Sequence, residues 1–132
     1  MAAPRSVLVV EDERIIALAL CQAIREHGHA VAACLPSAEA ALAWLETARP
    51  DLVLLDITLE GALDGVQAGA IIRERYHLPL AYITAYSDAA TLARAAATKP
   101  LALLAKPLAP AELGALMDRL AGEGDKKENR EP

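Results

Sequence analysis

The sequence predicts an α/β domain: a five-stranded parallel sheet with helices on both faces. Three observations predict it. VLVV at Val7–Val10 and LVLL at Leu52–Leu55 are unbroken apolar runs, as expected of strands buried on both faces. Such runs alternate with segments of helical period, which favours parallel strands joined by crossover helices. The chain has 132 residues and is 55 % apolar, enough for one domain with one core and too apolar for disorder.

Each element has its own signal. Ser6–Val10 is the first strand. Asp12–Glu26 reads as a helix because Ile16, Leu20 and Ile24 recur on one face, and Gly28 is a C-terminal stop. AVAAC, Ala30–Cys34, is the second strand. Ser37 is the expected N-cap of a second helix, with Ala41, Leu42 and Leu45 on its apolar face and Trp44 against the sheet. Pro50 closes that segment. Leu52–Asp56 is the third strand, and the loop EGALDG leads to a helix over Gly65–Arg75. Pro79 precedes the fourth strand, Leu80–Thr84. Asp88 caps an Ala-rich helix ending at Thr98. Leu101–Ala105 is the fifth strand, followed by Lys106-Pro107 and a last helix over Pro110–Ala121. The domain is therefore expected to occupy residues 1–121. Residues 122–132, GEGDKKENREP, are wholly polar and expected to form a disordered tail. No repeat, second domain or output module is expected.

Composition excludes several classes. The formal net charge is -5 with no Lys/Arg cluster, a poor basis for binding nucleic acid or an anionic membrane. No apolar run approaches the ~18 residues of a membrane span. The opening MAAPRSV is too short before the first strand for a signal peptide, so a cytoplasmic location is expected. Cys21 and Cys34 have no metal-type spacing and read as small buried apolar residues in a reducing compartment. His27, His29 and His77 fall near helix ends, and Glu13 reads as an exposed first-turn charge.

The informative residues follow the strands, because open parallel sheets bind ligands at their carboxyl edge. Glu11 and Asp12 follow the first strand, Asp56 ends the third, Thr84 ends the fourth, and Lys106 follows the fifth. Acids could merely cap a helix, and a lone Thr or Lys could be an ordinary strand end or a solvated charge. None of these explains the set. Carboxylates crowded at a buried strand end repel each other and need a cation. Hard oxygen ligands suit Mg²⁺. Asp56 could then use its other oxygen to attack phosphorus. Mg²⁺, Lys106 and the Thr84 hydroxyl would neutralise the phosphoryl oxygens.

Glu11-Asp12, Asp56, Thr84-Ala85 and Lys106-Pro107, in that order with strands between, resemble the bacterial response-regulator receiver domain across about residues 5–121. ITAYSD and TKPLALLAKPL look most like stand-alone, chemotaxis-type receivers. The resemblance implies a flavodoxin-like sheet of order 2-1-3-4-5 in a response regulator of a two-component phosphorelay. It implies that Asp56 accepts a phosphoryl group from the phosphohistidine of a sensor histidine kinase or histidine phosphotransfer protein. Asp12 would ligate Mg²⁺ directly, Glu11 through water, and Asp56 and the Thr58 backbone carbonyl would complete the protein ligands. Lys106 would pair with Asp56 and then with the phosphoryl group, while Thr84 would swing toward it. Thr58 and Tyr86 would line the entrance and tune the phosphoryl lifetime. The Lys106-Pro107 bond would be cis. Such a chain is no enzyme beyond its own phosphoryl transfer and dephosphorylation. It would act on an unknown protein target or pass the group on, and homodimerisation through the helix-four to helix-five face stays open.

Some residues depart from the family pattern. Leu103 stands where many receivers carry an inward-turning aromatic residue, so the readout is expected to differ. Lys99 replaces a common Gly and Leu108 a common Phe. A receiver-like scaffold that binds constitutively stays open on the strength of Leu103. A phosphatase of the haloacid-dehalogenase type is disfavoured: its Asp-x-Asp pattern is absent from DITLE, where Thr58 takes the second place. A nucleotide-binding protein is disfavoured too, since no Gly-rich phosphate loop follows the first strand.

Overall fold

A computed structural model describes residues 3–85 and 88–128. Strands and helices alternate: β1 (Ser6–Val10), α1 (Arg14–Glu26), β2 (Ala30–Leu35), α2 (Ala38–Leu45), β3 (Leu52–Asp56), α3 (Gly65–Tyr76), β4 (Leu80–Thr84), α4 (Ala89–Ala97), β5 (Ala102–Ala105) and α5 (Pro110–Glu128). The sheet has the order β2-β1-β3-β4-β5, and every neighbouring pair is parallel. This is the architecture the apolar runs predict, and β3 is buried along its whole length.

Each sheet face packs its own core. Leu8, Val10, Val53, Leu55 and Tyr82 face α2, α3 and α4, which contribute Ala38, Leu45, Val66, Ile72 and Ala95. Val7, Val9, Leu52, Leu54 and Ile83 face α1 and α5, which contribute Leu20, Ile24, Leu113 and Leu116. Burying one such side chain stabilises the fold by about 1.5–3 kcal/mol, so two faces of aliphatics hold the sheet despite few aromatics. Trp44 is partly buried against the first of these clusters.

The caps explain the helix starts. The Ser37 hydroxyl accepts from the Ala40 amide at 3.1 Å. Asp64 and Gln67 form a reciprocal capping box at α3, and Asp88 accepts from the Thr91 amide at 2.7 Å. α1 begins at Arg14, later than the expected Asp12, because Glu13 occupies the N-cap in extended conformation. Glu11 and Asp12 are thereby left in the loop. Lys99, where the family commonly carries Gly, adopts φ 57, a left-handed conformation that disfavours side chains by roughly 1–2 kcal/mol.

Two expectations are corrected. α5 continues through residues 122–128 to Glu128, past the expected end at Ala121. Glu and Lys are nearly as good helix formers as Ala, and Gly122 and Gly124 oppose them by only about 1 kcal/mol each. Residues 129–132 lie outside the described residues. Cys34 is exposed, whereas Cys21 is buried as expected. Cys34 lies on an edge strand, with no strand beyond it to cover it.

A polar link crosses the core. The buried Tyr82 hydroxyl lies 2.6 Å from the Thr98 hydroxyl, which itself donates to the Ala95 carbonyl at 2.7 Å. Tyr82 thus donates to Thr98 and ties β4 to the end of α4. Gly69 makes room for it, since a Cβ there would sit 2.0 Å from the Tyr82 oxygen. Tyr82→Phe is expected to cost about 1–2 kcal/mol in urea unfolding with an unchanged slope. An unchanged midpoint would show that water replaces the link without loss.

Candidate functional site

The parallel ladder brings the predicted residues to one edge. β1 and β3 end side by side with Val10 opposite Leu55. Asp56 is paired with Ile83 and Thr84 with Ala105. The Lys106 amide then donates to the Thr84 carbonyl at 2.9 Å, which fixes where the lysine leaves the sheet. The Lys106-Pro107 bond is cis, as the resemblance implies.

Asp56 is 1 % exposed. Its Oδ1 accepts from the Thr58 amide at 3.0 Å and the Thr58 hydroxyl at 3.2 Å. Its Oδ2 accepts from Lys106 Nζ at 2.9 Å. Glu11 is 2 % exposed, and its Oε1 lies 2.5 Å from the same ammonium. Its Oε2 accepts from the Glu13 amide at 3.2 Å. Asp12, partly exposed, accepts from the Glu60 amide at 3.2 Å. Glu11, Asp12 and Asp56 each offer an oxygen within 4.8 Å of the others.

Burial divides the charges among these groups. Burial, then the hydrogen bond with Asp56, pushes the Glu11 carboxyl up to about 7. Burial also acts to raise Asp56, but hydrogen bonds from Glu11, the Thr58 amide and Lys106 outweigh it and hold that carboxyl below its ordinary value. Burial acts to lower Lys106, yet its bonds to Glu11 and Asp56 keep it above the usual lysine range. Glu11 therefore keeps its proton toward neutrality and donates it to an ionised Asp56. Three carboxylates share one ammonium at this edge, and a proton on Glu11 offsets part of the excess negative charge. These hard oxygens fit Mg²⁺, which could take the place of that proton.

A stability prediction follows with a definite sign. Glu11 binds a proton more tightly folded than unfolded. Its contribution to stability is complete below pH about 4.5 and lost as pH rises through about 7. The opposite shift of Asp56 acts at lower pH, below the ordinary aspartate value of 3.8. Without divalent metal, unfolding midpoints should fall across that window in the wild type and stay nearly flat in Glu11→Gln. A parallel fall in both proteins would assign the dependence to another group.

The remaining predicted residues divide. Thr84 ends β4 beside Lys106 and is partly exposed. Leu103 is 39 % exposed and pairs with Tyr82 inside the sheet, away from the acid edge. Thr58 is exposed and bonded to Asp56. Tyr86 lies outside the described residues. Two further residues shape the site. The Glu39 carboxylate on α2 accepts from the Leu63 amide at 3.0 Å, holding the loop that carries Glu60. In the sequence it looks like ordinary first-turn charge. A Cβ on Gly65 would sit 1.9 Å from the Asp56 carbonyl oxygen, so glycine lets α3 start against the backbone of Asp56.

The chain belongs to the response regulator receiver domain family, whose model matches residues 7–118. It is 31 % identical over 112 residues to the transcriptional regulatory protein PdtaR of Mycobacterium tuberculosis, covering 85 % of this chain and 54 % of that protein. It is 30 % identical over 114 residues to the phyllosphere-induced regulator PhyR of Methylorubrum extorquens, covering 86 % and 42 %. The chain thus spans about half or less of the length of these relatives. Among solved structures, the signal receiver domain of a modulated diguanylate cyclase from Desulfovibrio desulfuricans G20 superposes with a TM-score of 0.89 at 33 % identity, covering 95 % of this chain and 99 % of that one. A CheY-like receiver from Methanospirillum hungatei, at 21 % identity and a TM-score of 0.85, shares the fold. Receiver domains of two-component systems are phosphorylated by histidine kinases. No helix among the described residues is long and apolar enough to cross a membrane.

Proposed function

We propose that this chain accepts a phosphoryl group on Asp56 from the phosphohistidine of a histidine kinase or histidine phosphotransfer protein, and that the modification switches its binding to another protein. The observation that carries this reading is the state of Asp56. It is a buried carboxylate held ionised, with one oxygen bound by Thr58 and the other by Lys106. An Asp56 oxygen attacks phosphorus, the phosphorus–nitrogen bond breaks, and the imidazole leaves with that electron pair. Lys106 follows the negative charge from the carboxylate to a phosphoryl oxygen. The Thr84 hydroxyl turns toward another. Mg²⁺, held by Asp12, Asp56 and the Thr58 carbonyl with Glu11 acting through water, would supply further positive charge at the phosphoryl oxygens. Thr58 and Tyr86 control the approach of the water that later hydrolyses the aspartyl phosphate.

On this reading the chain works in the cytoplasm as a receiver and catalyses only its own modification. Leu103, without ring or hydroxyl, gives a readout different from that of aromatic receivers. The test is intact mass after incubation with Mg²⁺ and acetyl phosphate, beside Asp56→Asn and an EDTA control. One added phosphoryl group, absent from both controls, is expected. Failure to gain mass together with failure to bind beryllofluoride would favour a scaffold that binds constitutively.

A further inference from the structure

Cys21 and Cys34 fall outside the chemistry of the acid edge, yet the register of β2 brings them together. β2 follows β1 with Val7 opposite Val31, but Leu8 is opposite Ala33 and Val9 opposite Cys34. Ala32 is therefore an extra residue in the ladder. A one-residue shift moves every later side chain to the other face of a sheet. The packing agrees, since Val31 joins the core on the α1 and α5 side whereas Ala33 and Leu35 join the opposite one. Cys34 consequently faces α1, alongside Val9. Val9 shares its core cluster with Cys21 of α1.

We propose that Cys21 and Cys34 form a reversible intramolecular disulfide, a redox-modification site that ties α1 to the edge strand β2. The two thiols differ in the way such a pair needs. Cys34 is exposed and open to a reagent, whereas Cys21 is 3 % exposed. Burial, then the neighbouring Cys34 thiol, pushes the Cys21 thiol up to about 11. Cys21 stays protonated near neutrality, and Cys34 reacts first.

The co-reactant is a low-molecular-weight disulfide. The Cys34 thiolate attacks one of its sulfurs, the sulfur–sulfur bond breaks, and one small thiolate leaves with the electron pair. Cys34 then carries a mixed disulfide. The Cys21 sulfur attacks the Cys34 sulfur, and the second small thiolate leaves and takes up the Cys21 proton. Two protein thiols are oxidised and one small disulfide is reduced to two thiols.

The test equilibrates the full chain in glutathione buffers of increasing oxidised fraction. Free thiols are trapped with N-ethylmaleimide in denaturant and read by intact mass. The expected product is a monomer two hydrogens lighter, carrying neither maleimide nor glutathione, at about tenfold or more over the singly glutathionylated chain, since neighbouring thiols act at high effective concentration. Cys34→Ser, an exposed and well-tolerated change, should give no oxidised product. Cys21→Ala should stop at the glutathione adduct of Cys34. The proposal is overturned if the wild type also stops at that adduct with Cys21 trapped by maleimide, if it forms cross-linked dimers instead, or if it stays reduced throughout.

Discussion

Lys106→Ala is expected to cost about 3 kcal/mol of stability near neutral pH and about a hundredfold or more in phosphoryl acceptance. The ammonium lies 2.5 Å from Glu11 and 2.9 Å from Asp56, and its side chain is only 10 % exposed. Removing it leaves two buried carboxylates facing each other without their shared cation. Such a broken buried pair costs far more than an exposed one, because neither acid regains water. The fold can answer by keeping the proton on Glu11 to a higher pH. The destabilisation should therefore grow between about pH 6 and about pH 8, and Mg²⁺ should recover part of it by supplying positive charge. Urea unfolding at both pH values, with and without Mg²⁺, checks the first half, and phosphorylation by acetyl phosphate checks the second. A loss of stability equal at both pH values would show that Lys106 acts through packing of its alkyl stem, not as the neutralising charge.

The acid edge was legible because its signals are one-dimensional. Buried parallel strands read as apolar runs, and the residue after each run falls at the same sheet edge whatever the packing above it. That places Glu11, Asp12, Asp56, Thr84 and Lys106 together without any tertiary detail. The bounds of β3 and β4 were legible for the same reason, since Asp56 and Thr84 end their runs with a polar group. The features that stayed hidden depend on the third dimension. Nothing in AVAAC marks Ala32 as an extra ladder residue, so the face of Cys34 could not be read. Glu39 resembles any acid in a first turn until α2 is packed beside the loop carrying Leu63. Gly65 and Gly69 look alike in sequence. One clears the Asp56 carbonyl and the other the Tyr82 hydroxyl, and only the packing of α3 on the sheet separates those roles.

The end of α5 failed for a different reason. The run after Ala121 carries two glycines and many charges, a composition that suits a solvated tail. Glu and Lys also extend a helix that is already nucleated, and propagation needs far less than initiation. A helix anchored by Leu113, Leu116 and Leu120 in the core can therefore run on past its last apolar residue.

Asp56→Asn is expected to abolish phosphoryl acceptance completely, because an amide oxygen offers neither the negative charge nor the acyl phosphate product that a carboxylate does. Its effect on stability should depend on pH in a diagnostic way. Ionised Asp56 gains from Lys106, Thr58 and the proton of Glu11, so near pH 5 the substitution removes favourable interactions and is not expected to stabilise. Above about pH 7 Glu11 ionises as well, and the wild type then holds two adjacent buried negative charges against one ammonium. The Asn variant holds one, and its Glu11 loses both the hydrogen bond and the charge that raise its carboxyl. The stability of the variant relative to wild type should thus rise with pH by about 1 kcal/mol or more between about pH 5 and about pH 8. Adding Mg²⁺ should raise the wild-type midpoint and barely move that of the variant. A difference independent of pH would mean that Glu11 and Asp56 titrate separately. The proton-sharing pair at the centre of the site would then have to be abandoned, even if phosphoryl acceptance at Asp56 stood.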